Sequence, residues 1–389
     1  MTGSRTFEIG AFTFGELTAD PVTGKAIDPA VRLREFIDLA RIADQAGLDV
    51  FGVAEHHRPD FAIASPPVVL AAVAEATARI RLTSTVTVLS TSDPVKVFED
   101  FTALDLVSGG RAEITAGRGA YTESFPLFGF DLADYDELFD EKLDLLLRLN
   151  RGQHVDWSGR HRPALVDASV YPRPVQGQLP VWIAVGGTPA SVVRAGRHGL
   201  PLYLAILGRP ERFAPLAELY RQSATDAGHI PDALRVGVTS HFYAEPTSQG
   251  ARDTFYPYYS RYIANNMPGA RGQLLPRDAF DAWADPRGAL FTGSPQEIID
   301  KILWEHELLG HDRFLAQIGL GGLPFADTAR SIELLATEVL PIVRQETALG
   351  SANRLIGSST PAGKNGGRQI RQCPNSREPA RSSGGSDFS

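Results

Sequence analysis

The chain has 389 residues, 43% of them hydrophobic, enough to bury a large core as one barrel or two medium domains. Its formal net charge is −8, and the acidity belongs to the body: residues 351–389 carry six Lys/Arg against two Asp/Glu, leaving 32 against 44 before them, so no nucleic-acid partner is expected. A single cysteine, Cys373, excludes a disulfide framework and a thiolate metal cluster, and the absence of a basic-then-apolar leader or of about 18 uninterrupted apolar residues points to an unexported, cytoplasmic protein with no membrane partner.

In chain order, residues 7–14 read as a first strand. Pro29 and the spacing Val31, Leu33, Phe36, Ile37, Ala40, Ala43 and Leu48 mark a helix closing at Gly47. The short apolar run from Val50 reads as a second strand covered on both faces, and it stops in Glu55, His56, His57, Arg58 and Pro59. Ser65, Pro66 and Pro67 start a helix over 68–78 that is small and apolar nearly all round, which predicts packing against a second subunit in a homodimer. Residues 80–89 alternate and β-branch like a buried strand, Asp93-Pro94 opens a helix over 95–107, and Gly109-Gly110 ends it before a strand over 112–116.

An amphipathic helix is expected over 133–150 and an excursion over 152–179, before a strand at 181–185. The alternation resumes with a helix at 189–198, a strand at 201–206, a helix at 211–227 and a strand at 234–241. Residues 244–293 read as a long irregular part rich in aromatics, serving either as a cover for a site or as a peripheral subdomain with its own core. A helix from Ser294-Pro295 to Leu309, a strand over 313–318 and a helix over 328–343 complete the pattern. Eight strands each followed by a helix describe an α/β protein with a (β/α)8 TIM barrel, insertions included, over residues 1–350. Residues 351–389 form a Gly-, Ser- and Arg-rich tail that is expected to be disordered.

Two adjacent histidines and a glutamate at a strand's carboxyl end form the first candidate site, since barrels place their chemistry there. Gly117-Arg118-Gly119 follows the fourth strand and offers a guanidinium for an anion such as a phosphate. Gly186-Gly187-Thr188-Pro189-Ala190-Ser191 leads from a strand into a helix whose first amides and hydroxyls suit a phosphate; it also reads as a plain helix cap with Thr188 at N-cap, and the two are compatible. Gly319-Leu320-Gly321-Gly322 competes for the same role but has no basic neighbour. A metal-dependent hydrolase built on Glu55, His56 and His57 is a rival, although adjacent residues on a strand alternate in direction and no distant ligand pair completes the set, so no metal site is assigned.

The Ala54-Glu55-His56-His57 stretch, the strand end Thr85-Val86-Thr87-Val88-Leu89, residues 100–111, Gly117-Arg118-Gly119 and residues 180–201 resemble the bacterial luciferase-like flavin monooxygenase family, in matching order from about residue 7 to 345. The resemblance implies a barrel that uses reduced FMN and O2 to oxygenate a small organic substrate, with a separate flavin reductase as a possible partner. It implies Arg118 on the FMN phosphate with Gly186, Gly187, Thr188 and Ser191, a cis peptide at Thr85-Val86 under the flavin ring, Glu55 among the cofactor contacts, and His56 as the catalytic histidine. His is the side chain that gives or takes a proton near neutrality. The family's luciferases have a reactive cysteine where this chain has Gly117, which argues against light emission and leaves oxygenation open. Hydride transfer with a deazaflavin on the same fold and a non-catalytic flavin-binding role are the alternatives.

Overall fold

The computed structural model describes residues 6–119, 121–230, 233–267, 269–270 and 272–357, with side chains through Leu349. Its first half runs β1 (Glu8–Thr13), α1 (Pro29–Ala46), β2 (Val50–Val53), α2 (Pro66–Ala76), β3 (Arg81–Ser84), β4 (Thr87–Val88), α3 (Pro94–Ser108), β5 (Ala112–Gly117), α4 (Ser124–Phe128) and α5 (Tyr135–Arg151). An antiparallel hairpin of β6 (His154–Trp157) and β7 (Leu165–Ser169) follows. The second half runs β8 (Val181–Val185), α6 (Pro189–His198), β9 (Leu202–Ala205), α7 (Ala214–Asp226), β10 (Val236–Ala244), α8 (Ser248–Asn266), α9 (Arg277–Trp283), β11 (Phe291–Gly293), α10 (Pro295–Leu309), β12 (Arg313–Gln317), α11 (Phe325–Leu334) and α12 (Leu340–Gly357).

The helices begin where the sequence supplies acceptors for their free amides. The Asp28 carboxylate accepts from the Ala30 and Val31 amides at 2.9 and 3.1 Å, and Asp93 does the same for Val95 and Lys96. Gly47 and Gly109 end α1 and α3 in the left-handed conformation that an L side chain disfavours. Strands β1, β2, β3, β5, β8, β9, β10 and β12 pair in parallel and close into a ring through β10 and β12, giving the expected eight-stranded barrel. The main core lies between strands and surrounding helices, while Phe12, Val50, Trp182, Tyr203 and Leu315 fill the barrel's interior.

Beneath that interior layer, near the amino ends of the strands, Arg313 is fully buried. Its guanidinium donates to Glu113 Oε2 at 2.7 Å, to the Tyr203 hydroxyl at 2.9 Å and to Glu8 Oε2 at 2.5 Å, and lies 4.3 Å from the Trp182 ring. Burial would push Glu113 up, but Arg313 and then Arg81 overcome it and hold the carboxyl at about 2. The network ties β1, β5, β9 and β12 together at the end opposite the site.

Four expectations change. The strand over 80–89 is two pieces, β3 and β4, divided by a cis peptide at Thr85-Val86. The 244–293 segment is not irregular: it holds the 19-residue α8, then α9 and β11. The helix expected over 328–343 starts at Phe325 and contains a π-turn at Leu335–Val339. It also continues as α12 to Gly357, beyond the boundary expected near 351, while the rest of the expected disordered tail, Cys373 included, lies outside the described residues. Among the described residues no helix is long and apolar enough to cross a membrane.

Candidate active site

The carboxyl ends of all eight barrel strands contribute to one cavity of about 550 Å³. Glu55 and His56 come from the end of β2, Thr85 and Val86 from the break between β3 and β4, Gly117 and Arg118 from β5, and Gly186 and Thr188 from β8. Gly187 and Ser191 stand beside this wall without lining the cavity. The volume falls in the ordinary range for a small-molecule site.

Local pairing fixes the histidine. Beyond β2 the chain folds back so that the His56 amide donates to the Ile63 carbonyl at 2.9 Å, and Glu16 and Phe61 form an antiparallel bridge between the loops after β1 and β2. This places the His56 ring flat on Phe61 at 4.3 Å, with Phe14 at 4.6 Å and Tyr121 at 5.1 Å. Arg58, held by Asp60, lies over both Tyr121 and Phe61 and locks the cage from outside. Burial first, then Arg58 and His57, pushes the His56 pKa down to about 3, and its Nε2 has no hydrogen-bond partner. His56 is therefore a neutral imidazole at pH 7, not the group titrating near neutrality that the sequence suggests.

Glu55 and His57 have a different task. The Glu55 carboxylate accepts from the Val88 amide at 2.9 Å with one oxygen and meets His57 Nε2 at 2.9 Å with the other, while the Glu55 amide donates to the Val86 carbonyl. Both oxygens are thus committed to holding the chain around Thr85-Val86. Gly117 completes that floor: a Cβ there would come within 2.6 Å of the Val86 side chain, so any side chain, cysteine included, would need Val86 to move. Thr85 Oγ1 is buried without a partner in the same wall.

Directly after Gly117 the Arg118 guanidinium pairs with Asp136 and lies 4.9 Å from the Tyr135 ring, whose hydroxyl donates to the Gly119 carbonyl. The turn facing it is open: a Cβ on Gly186 or Gly187 would meet nothing within 4 Å, and the Thr188 hydroxyl caps no helix amide. Ser191 is buried, and its hydroxyl receives a 3.4 Å contact from Arg194, which is paired with Asp140. Arg194 was not legible as a site residue, although its place one turn after Ser191 on α6 is the signal that could have found it. An open glycine turn, an uncommitted N-cap hydroxyl and two guanidinium groups fit a phosphate at the α6 amino end. The competing Gly319–Gly322 loop does not: Gly321 donates to Glu16 Oε2 at 2.8 Å, and a Cβ on it would sit 1.9 Å from the Tyr258 carbonyl.

The remaining wall comes from β10, α8 and α9 through His241, Tyr259, Tyr262, Asn266 and Trp283, so the aromatic segment has its own small core and also covers the site. Among the described residues, the group with metal-ligand spacing is Asp134, Glu137 and His161, outside this cavity, and not Glu55, His56 and His57.

Residues 7–312 match the luciferase-like monooxygenase family. The sequence is 29% identical over 334 residues to 4-hydroxyprotoasukamycin monooxygenase of Streptomyces nodosus subsp. asukaensis, covering 81% of this chain and 88% of that protein. It is 25% identical to the oxygenase component of the flavin-dependent trigonelline monooxygenase of Acinetobacter baylyi, covering 79% and 89%. Among solved structures it is similar to monooxygenase RslO1 from Streptomyces bottropensis, with a TM-score of 0.75, 25% identity and coverage of 86% and 99%. The fold alone is shared with an F420-dependent secondary alcohol dehydrogenase, with a TM-score of 0.67, 18% identity and coverage of 87% and 99%.

Proposed function

This chain belongs to the luciferase-like monooxygenase family, and from that premise we propose that it is a flavin-dependent monooxygenase that uses reduced FMN and O2 to oxygenate a small organic substrate. The observation that carries the reading is one cavity that joins an open phosphate cradle at Gly186 and Thr188 to an apolar pocket holding an unpartnered histidine nitrogen. Bound FMN would supply the electrons and activate O2. The chain's own residues would do the rest. Arg118, Thr188 and Ser191, joined by Arg194, would hold the phosphate, and the Thr85-Val86 and Gly117 floor would seat the flavin ring, with Glu55 supporting that floor through Val88 and His57. The Phe14, Phe61 and Tyr121 rings exclude water, and His56 Nε2 would hold a hydrogen bond at the reacting end as a neutral imidazole.

The trigonelline relative is described as an oxygenase component, which supports a separate reductase as the source of reduced flavin here. Hydride transfer with a deazaflavin is the second reading, favoured by the shared fold of the F420-dependent dehydrogenase. Absorption titrations of the purified protein with FMN and with a deazaflavin, followed by oxygen uptake with each reduced cofactor, separate the two. Tight FMN binding and protein-dependent O2 consumption are expected. Selective binding of the deazaflavin with no O2 consumption would overturn the proposal.

A further inference from the structure

The flavin reading leaves one end of the cavity without an occupant, the end built by β10, α8 and α9. Its polar groups are all uncharged. His241 is buried, which pushes its pKa down to about 3, and its Nδ1 shares a 2.8 Å hydrogen bond with the Tyr259 hydroxyl. Burial likewise raises Tyr259 and Tyr262, keeping their hydroxyls protonated. Among the described lining residues, the carboxylates and the guanidinium are Glu55, Glu123 and Arg118; none comes from β10, α8 or α9.

Two side chains at this end hold a buried polar atom with no partner. One is Ser240 Oγ, in a residue 1% exposed; the other is Asn266 Oδ1, in a residue 8% exposed whose Nδ2 already donates to the Tyr262 carbonyl at 3.2 Å. A buried acceptor left unpaired costs free energy that a ligand donor would recover. A charged ligand group would gain no counter-ion here in exchange for its hydration. The neighbouring walls are the rings of Tyr259, Tyr262 and Trp283, which suit a flat partner by face or edge.

From this arrangement we infer that the β10–α8–α9 end binds an uncharged aromatic ring carrying a hydroxyl, a phenol-type substrate whose O–H donates to Asn266 Oδ1, and rejects carboxylated analogues. The inference rests on the flavin reading for what fills the rest of the cavity. Calorimetric titration of the full chain with 2-naphthol, 2-naphthoate and naphthalene, each with and without FMN, tests it. The expected result is 2-naphthol binding roughly tenfold or more tighter than 2-naphthoate, with Asn266→Leu and, separately, Ser240→Ala weakening 2-naphthol by about tenfold and naphthalene hardly at all. Equal affinity for 2-naphthol and 2-naphthoate, or 2-naphthol binding that neither variant changes, would overturn it. FMN binding with no such selectivity sinks this inference alone; selectivity without FMN binding sinks the flavin reading and leaves this one standing.

Discussion

At His56, burial among three aromatic rings and then the Arg58 guanidinium hold the imidazole neutral above about pH 3, so its service to the reaction is a hydrogen bond at Nε2. Losing one hydrogen bond to the reacting group costs about 1.5–3 kcal/mol, so His56→Ala should slow turnover roughly ten- to a hundredfold. The pH–rate profile should show no His56-dependent step between pH 5 and 8. His57→Ala removes an edge contact to Phe128 and the contact to Glu55, whose other oxygen keeps the Val88 amide, and should cost less than about tenfold. Steady-state oxygen uptake with reduced FMN and a turned-over substrate measures both variants; loss on His57→Ala with retention on His56→Ala would exchange the two roles. Glu16 carries a second residue-scale consequence. Burial raises its pKa from the usual carboxyl value to about 8, so the folded state holds a proton that the unfolded state releases near pH 4.5. Its contribution is therefore fully present at low pH and lost between about pH 4.5 and 8. Glu16→Gln, which retains an acceptor for the Gly321 amide, should raise the thermal midpoint at pH 9 relative to the natural chain and leave it nearly unchanged at pH 5.

Among the elements, α8 shows where pattern reading stops. Phe255, Tyr256, Tyr258, Tyr259 and Tyr262 surround more than one face of the helix because it packs on its own small core outward and on the cavity inward, and Pro257 interrupts it in sequence. Two burial directions erase the single apolar stripe by which an amphipathic helix is recognised. The barrel strands were legible for the opposite reason: buried on both faces, they read as short apolar runs bounded by helix starts that the structure reproduces at Pro29, Asp93 and Ser294. Strand-to-strand chemistry was not legible, because Arg313 meets Glu113 across 200 residues of sequence. Arg313→Met leaves Glu113 with Arg81 and Glu8 with Arg235 as their remaining partners, so it should destabilise the protein by about 1.5–3 kcal/mol in denaturant unfolding, the loss of hydrogen bonds to charged groups. A change below about 1 kcal/mol would mean that Trp182 and the packed rings, not the charges, hold the strands at that end.

For the whole molecule, the half of the cavity lined by Glu55, His56, Arg118 and Gly186 was readable as strand ends, while the half on α8 and α9 was not, since no motif marks it. A homodimer of the kind expected would cover the exposed Val68 on α2 and Leu106 and Val107 on neighbouring α3, and sedimentation should then give about twice 42.1 kDa. A single 42.1 kDa species at micromolar concentration would leave that face to solvent. The central claim is the orientation of the cavity, with its phosphate end at Arg118 and the start of α6 and its reacting end at His56. Fluorescence titration of the natural chain and of Arg118→Ala with FMN and with riboflavin tests it most directly. Losing charge-assisted hydrogen bonds of about 1.5–3 kcal/mol should weaken FMN roughly ten- to a hundredfold and leave riboflavin, which lacks the phosphate, within about twofold. Equal weakening of both ligands, or FMN bound as tightly by the variant as by the natural chain, would contradict it.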